Sequence, residues 1–166
     1  NIVLNQTNLN SATWPYRLNR NNASRLTITL DNNITLSGAD KYFIFESNNI
    51  IFDGNGKTIT ISNTTSNKIY YPGLIRNGTN SQIGNSNTTI KNIKLTITGL
   101  VNLANSGTNN GGWICQSYYS NNSIENKIIN CTIIGSATNI DLGCGGIVGS
   151  CAGYNYGNLM IISCSS

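Results

Sequence analysis

Six carboxylates are all the acid this chain of 166 residues can bring to a reaction: Asp31, Asp40, Glu46, Asp53, Glu125 and Asp141. One chemistry that carboxylates can do in pairs is cleavage of a glycosidic bond, which asks for two carboxyl groups about 5 to 9.5 Å apart. When the internal repeats of the chain are aligned, no two of the six stack on neighbouring strands. Glu46 and Asp53 flank a corner, and Glu125 lies above Lys91 as an exposed ion pair of little energetic weight. Asp53 opens Asp53-Gly54-Asn55-Gly56, a backbone-reversing sequence, so a turn role accounts for it. The chain has no His, which removes His-based triads and the commonest general base and metal ligand. Five cysteines (Cys115, Cys131, Cys144, Cys151 and Cys164) fall in the C-terminal third, and none forms a Cys-x-x-Cys unit. An odd number cannot pair fully within one chain. No cofactor or metal is implied.

The elements that would carry such residues are strands. Asn occurs 30 times and Ser, Thr and Gly 17 times each, while Ile reaches 24 against only 6 Ala, 2 Glu and 3 Gln. Turn-formers and strand-formers in those proportions predict an all-β protein. The length fits one domain, and 39% hydrophobic residues fill a core that is narrow and elongated. Net charge is +4 from 10 basic and 6 acidic residues, without a Lys/Arg cluster. That spread speaks against a nucleic-acid partner. No apolar stretch approaches membrane-spanning length, so no membrane partner is expected.

Self-comparison exposes a repeat. Ile93-Lys94-Leu95-Thr96-Ile97-Thr98-Gly99 matches Ile129-Asn130-Cys131-Thr132-Ile133-Ile134-Gly135 at a spacing of 36, and Ile162-Ser163-Cys164-Ser165 restarts the pattern 33 later. Gly112-Trp113-Ile114-Cys115 matches Gly146-Ile147-Val148-Gly149 at a spacing of 34, with weaker copies at Gly73-Leu74-Ile75-Arg76 and Tyr42-Phe43-Ile44-Phe45. Roughly 31 to 39 residues thus return the chain to the same place, one coil on, as in a solenoid of stacked parallel strands. Asn and Gly suit its corners, because they tolerate the left-handed backbone. Four or five coils are expected over residues 25–166. Residues 1–24 fall outside the repeat, contain Trp14-Pro15-Tyr16, and are read as an N-terminal cap. With Asn1 first and Ser166 last, just after a strand restarts, the chain reads as a fragment of a longer one.

The run Asn49-Ile50-Ile51-Phe52-Asp53-Gly54-Asn55-Gly56-Lys57-Thr58-Ile59-Thr60-Ile61 resembles the first-coil signature of right-handed parallel β-helix proteins, the pectin-lyase-like and tailspike-like group. Gly145-Gly146-Ile147-Val148-Gly149 resembles the short strand repeat of bacterial and giant-virus surface β-helices, and the Asn- and Ile-rich composition resembles the product of an AT-rich genome. The resemblance covers roughly residues 25–166. It implies a right-handed parallel β-helix, a place on a virion or cell surface, and association side by side as a homotrimer.

Alternate residues of a strand face opposite ways. On the repeat alignment, Ile44, Ile75, Ile114 and Val148 form one interior column. Ile50, Ile93, Ile129 and Ile162 form another, with Phe52, Leu95, Cys131 and Cys164 two residues on, the thiols acting as small hydrophobes. The column left facing out is apolar: Phe43, Leu74, Trp113 and Ile147, with Phe45 beside it. Such a stripe is covered by the chain's own loops, is a self-association surface, or lines a ligand groove. On this facing Trp113→Ser leaves the chain folded and weakens association, whereas Ile114→Asp unfolds it.

Polygalacturonases of the resembled group use paired Asp residues and a Gly-His-Gly motif, which a His-free chain does not supply. Pectate lyases use clustered acidic calcium ligands with an Arg; Arg76 is strand-borne, but no acidic cluster accompanies it. The expected function is therefore a non-catalytic structural or interaction module of a virion or cell-surface protein, fibre-like or spike-like, self-associating through the apolar stripe. A glycan-binding module is the alternative, with Tyr70, Tyr71, Tyr118 and Tyr119 as candidate stacking platforms. A polysaccharide lyase or hydrolase is the third reading.

Overall fold

The β-branched runs of the sequence form parallel strands in four separate sheets of the computed structural model, which describes residues 1–21, 23–104, 110–135 and 144–166. The largest sheet contains β1 (Ile2–Leu4), β3 (Leu26–Leu30), β6 (Ile50–Asp53), β10 (Thr89–Lys91), β13 (Asn126–Ile129) and β15 (Leu159–Ile162), side by side in that order. A second holds β4 (Ile34–Ser37), β7 (Thr58–Asn63), β11 (Lys94–Gly99) and β14 (Thr132–Ile134). A third joins β2 (Tyr16–Leu18), β5 (Phe43–Phe45) and β9 (Ile75–Arg76), and a fourth pairs β8 (Ile69–Tyr71) with β12 (Val101–Leu103). One helix, α1 (Gln6–Asn10), is present among the described residues. The protein is all-β with parallel pairing throughout.

Register sets the core. Ile28, Phe52, Ile90 and Ile128 lie opposite one another across four strands of the largest sheet, and all four are fully buried. Ile59 and Leu95 do the same in the second sheet, with Ile133 beyond them. Each such side chain contributes about 1.5–3 kcal/mol by leaving water. The second-sheet register differs from the sequence alignment by two residues: Lys94 pairs with Thr132, so Ile93 does not stand beside Ile129. A two-residue shift keeps the facing, and Ile93, Leu95 and Cys131 are buried as expected. Ile129 and Ile162 depart from the expected interior column: they stand in register with Asp53 and Lys91, on the face opposite Phe52, Ile90 and Ile128, and are half-buried and exposed, while Cys164 is half-buried.

The third sheet corrects the expected apolar stripe. Phe43 pairs with Ile75, which bridges to Cys115, which bridges to Val148. The sequence alignment set Phe43 beside Leu74 and Ile44 beside Ile75, one residue out, and a slip of one residue exchanges the faces. Phe43 therefore points inward, its ring 5.0 Å from that of Phe52. Phe45, Leu74 and Trp113 are buried as well and Ile147 is half-buried, so these five residues present no exposed stripe. What faces outward on this sheet is the column Arg17, Ile44 and Arg76.

The corners are made by residues with left-handed backbone at matched places. Asn49, Asn87 and Glu125 precede β6, β10 and β13, and Asn92, Asn130 and Ser163 follow β10, β13 and β15, all with φ between +51° and +61°. Asn is the commonest non-Gly residue to adopt this conformation at low cost. It adds a second bond here: Asn87 Nδ2 donates to Asn49 Oδ1 at 2.7 Å and Asn130 Nδ2 to Asn92 Oδ1 at 3.0 Å, each pair 38 residues apart. At Gly54 the requirement is closeness, since a Cβ there would lie 2.4 Å from the Asn92 carbonyl oxygen.

The first 24 residues do not stand apart from the sheets, because β1 and β2 are members of two of them. Helix α1 is too short to persist alone. It is held by reciprocal bonds between Asn5 and Asn8 and by Gln6, whose side-chain amide accepts from the Thr35 N–H at 2.6 Å and donates to the Thr35 carbonyl at 3.2 Å. Those bonds satisfy the outer edge of β4.

Burial of Trp113 reverses the expectation drawn from the sequence. Trp113→Ser is expected to lower stability by about 3–5 kcal/mol, and Ile114→Asp to prevent folding by leaving a buried charge unpaired. Denaturant titration followed by circular dichroism checks both; an unchanged midpoint for Trp113→Ser would return that ring to the surface.

Candidate functional site

The outward column Arg17, Ile44 and Arg76 forms the floor of a groove of about 670 Å³. Its position follows from strand alternation: Tyr16, Phe43 and Ile75 turn toward the core, so their neighbours turn out. The far wall is the segment 77–86, which contributes Gln82 and Asn85. Asn77 closes that segment, accepting from the Asn85 N–H at 2.6 Å and donating to the Asn85 carbonyl at 2.9 Å. Asn85 Nδ2 donates to the Phe45 carbonyl at 2.8 Å, which ties the wall to the strand. Asn121 Nδ2 donates to the Thr79 carbonyl at 2.6 Å. Little loop entropy remains to be lost when a ligand enters such a wall.

The two arginines differ. Arg17 is bonded to Glu46, the one carboxylate in the groove lining. Arg76 makes no ion pair among the described residues, and its guanidinium lies 6.0 Å from the centroid of the Tyr42 ring. A planar guanidinium beside an aromatic ring, an aliphatic side chain and two amides can take a carboxylate in two parallel hydrogen bonds. A single carboxylate already bound to an arginine does not form the pair of acids that glycosidic hydrolysis requires.

The other expected site residues lie elsewhere. Tyr70 is exposed, but its neighbour Tyr71 is buried and donates its hydroxyl to the Lys41 carbonyl at 2.9 Å. Tyr119 is buried with its hydroxyl 3.0 Å from Thr88 Oγ1, and Tyr118 is nearly buried with its ring edge-on to Tyr154. Burial raises the phenols of Tyr71 and Tyr119 well above the ordinary value. Tyr71, Tyr118 and Tyr119 are therefore packing anchors and not stacking platforms, since a buried ring offers no face to a sugar.

Lys91 pairs with Asp53, its Nζ 3.0 Å from Oδ2, and not with Glu125. Asp53 Oδ1 accepts from the Asn55 N–H at 2.8 Å and from Asn92 Nδ2 at 3.0 Å. Glu125 instead uses its backbone N–H, donated to Asn158 Oδ1 at 2.8 Å. Asp141 lies outside the described residues. The sequence reading singled out Arg76 but missed Arg17, because residues 1–24 were set outside the repeat. The signal that could have found it is the alternation Tyr16-Arg17-Leu18, the same pattern as Phe43-Ile44-Phe45.

With this geometry in view, comparison with known protein families, curated proteins and solved structures finds no match to the chain.

The Asp53 corner gives a pH dependence with a definite sign. Partial burial pushes its carboxyl upward, and the hydrogen bonds from Asn55, Asn92 and Lys91 with the Lys91 charge outweigh it, so the carboxyl titrates below its ordinary value. A lowered folded-state pKa contributes stability that is present above about pH 4 and is lost as pH falls through the folded value. Asp53→Asn is expected to flatten that acid limb of stability against pH, measured by thermal unfolding from neutral pH downward. An acid limb identical to wild type would remove Asp53 as its source.

Proposed function

We propose that the chain is a non-catalytic structural module of a virion or cell-surface protein. It is wound as a right-handed parallel β-helix of four or five coils, with residues 1–24 closing one end. The observation that carries this reading is the matched corners: left-handed residues recur at equivalent places and Asn side chains 38 residues apart bond to one another. A chain that returns to the same corner after each circuit is a solenoid. Resemblance of the Asn49 to Ile61 run to the first coil of tailspike-like proteins supports the handedness and the surface setting.

With the expected stripe inside, self-association moves to the end that carries β14 and β15. Ile134, Met160, Ile161 and Ile162 are each 40% or more exposed there, and β15 is an edge strand. Light scattering of the wild type is expected to give an oligomer, with the homotrimer favoured, and Met160→Lys with Ile162→Lys is expected to give the monomer. A monomeric wild type at all concentrations would remove self-association from the reading.

The groove favours a second reading as a glycan-binding module. Arg76 without an ion pair, beside Tyr42 and Ile44, suits a sugar that carries a carboxylate. An acidic oligosaccharide is expected to bind at least about tenfold tighter than its neutral counterpart, and Arg76→Ala to abolish that preference. Calorimetry with both sugars checks this, and equal or absent binding of the two would set the glycan reading aside.

A further inference from the structure

Two of the cysteines are brought together by register. Thr132 bridges to Ser165, the Asn130 N–H donates to the Ile162 carbonyl at 2.9 Å, and the Ser165 N–H donates to the Cys131 carbonyl at 3.0 Å. Cys131 and Cys164 are therefore direct partners across neighbouring parallel segments. Each follows a left-handed residue, Asn130 with φ 52° and Ser163 with φ 51°. Both thus sit at one corner, Cys131 between β13 and β14 and Cys164 just after β15, and neither belongs to a regular strand.

A corner position matters for whether two stacked cysteines can bridge. Directly paired residues of parallel segments have Cα atoms about 4.8 Å apart, inside the range a disulfide spans. In regular strands their Cβ vectors run side by side, which keeps the sulfurs apart. Here the Cys131 N–H already donates to Cys164 Sγ at 3.4 Å, while the Cys131 thiol donates to the Ile129 carbonyl at 3.4 Å and the Cys164 thiol to the Ile162 carbonyl at 3.3 Å. Cys164 is half-buried and reachable from solvent, whereas Cys131 is fully buried. Cys115 is also fully buried, Cys144 is half-buried, and Cys151 is exposed.

We propose that Cys131 and Cys164 are an oxidisable pair that closes a disulfide in the presence of a small-molecule disulfide such as oxidised glutathione. The Cys164 thiolate attacks one glutathione sulfur, forming a mixed disulfide and releasing one glutathione thiol. The Cys131 thiolate then attacks the Cys164 sulfur and expels the second glutathione. The two protein thiols give up two protons and two electrons, and one disulfide is reduced to two thiols. Cys164 reacts first because it is accessible, while burial pushes the Cys131 thiol up to about 12 and leaves little thiolate. The bridge links residues 33 apart and staples edge strand β15 to β13 and β14.

The single methionine makes the test direct, because Met160 lies between the two cysteines. Folded protein is incubated with oxidised glutathione, remaining thiols are alkylated, and the chain is cut after Met160 with cyanogen bromide. The peptide 161–166 is expected to stay attached to the rest of the chain and to be freed by reductant. In Cys131→Ala it is expected to come free carrying glutathione. Oxidised wild type should also unfold about 5–10 °C higher than reduced protein, a shift absent from Cys131→Ala. Release of the peptide from oxidised wild type while Cys151 carries glutathione would overturn the proposal. Retention of the peptide in Cys131→Ala would overturn it too, by assigning Cys164 another partner.

Discussion

The pairings of β6, β10, β13 and β15 depend on the chain turning sharply at matched positions, and a left-handed residue is what permits each turn. A parallel ladder cannot be closed by a tight hairpin, so each strand must be brought back to its neighbour by way of other segments. If the corners drifted by one residue, every side chain of the next strand would change face. Asn49 with Asn87, and Asn92 with Asn130, hold the corners in step because one residue type meets two demands. It tolerates positive φ, and its amide carries both a donor and an acceptor, so one Asn of each pair donates to the other 38 residues away. Four of the 30 asparagines make these two bonds.

The groove depends on the same registration. Arg17 and Arg76 flank Ile44 only because the pairings Arg17 to Ile44 and Ile44 to Arg76 hold. The opposite register would put the guanidinium groups against Phe52, in a core where an unpaired charge is too expensive to keep. Core and site are thus two faces of one constraint: the apolar ring of Phe43 fixes the strand, and the strand then presents Arg76. Glu46 neutralises one arginine and leaves the other as the cation that a ligand would meet.

Composition and turn residues made the all-β class and the Asn corners legible, and the repeat alignment made the interior places of Ile50, Phe52, Ile93, Leu95 and Cys131 legible. Registers were harder to read. Phe43, Ile44 and Phe45 are all apolar and all buried, so the pattern itself does not say which face is which. The tyrosine pairs misled for a related reason. Tyr70-Tyr71 and Tyr118-Tyr119 read as aromatic patches in a linear text, while the backbone sends one ring of each pair inward to a hydrogen-bonded site under Lys41 or Thr88. Arg17 and Glu46 were each visible, but their contact joins segments 29 residues apart, one of which looked like a cap.

The two ends of the sheets are treated differently, and that difference bears on how the molecule meets its surroundings. At the β1 and β4 end, amide side chains of α1 stand in for the missing strands: Gln6 bonds Thr35 on both its N–H and its carbonyl, and Asn8 Nδ2 donates to the Val3 carbonyl at 2.9 Å. A strand edge whose backbone groups are already bonded is a poor template for another strand. At the β15 end the interior column continues into Ile161, a core position by register that is 45% exposed. An apolar edge of that kind is stabilised by being covered or by being tied down. The cysteine pair beside it would do the second without preventing the first, since a bridge from Cys164 to Cys131 leaves the outer backbone edge of β15 free to pair.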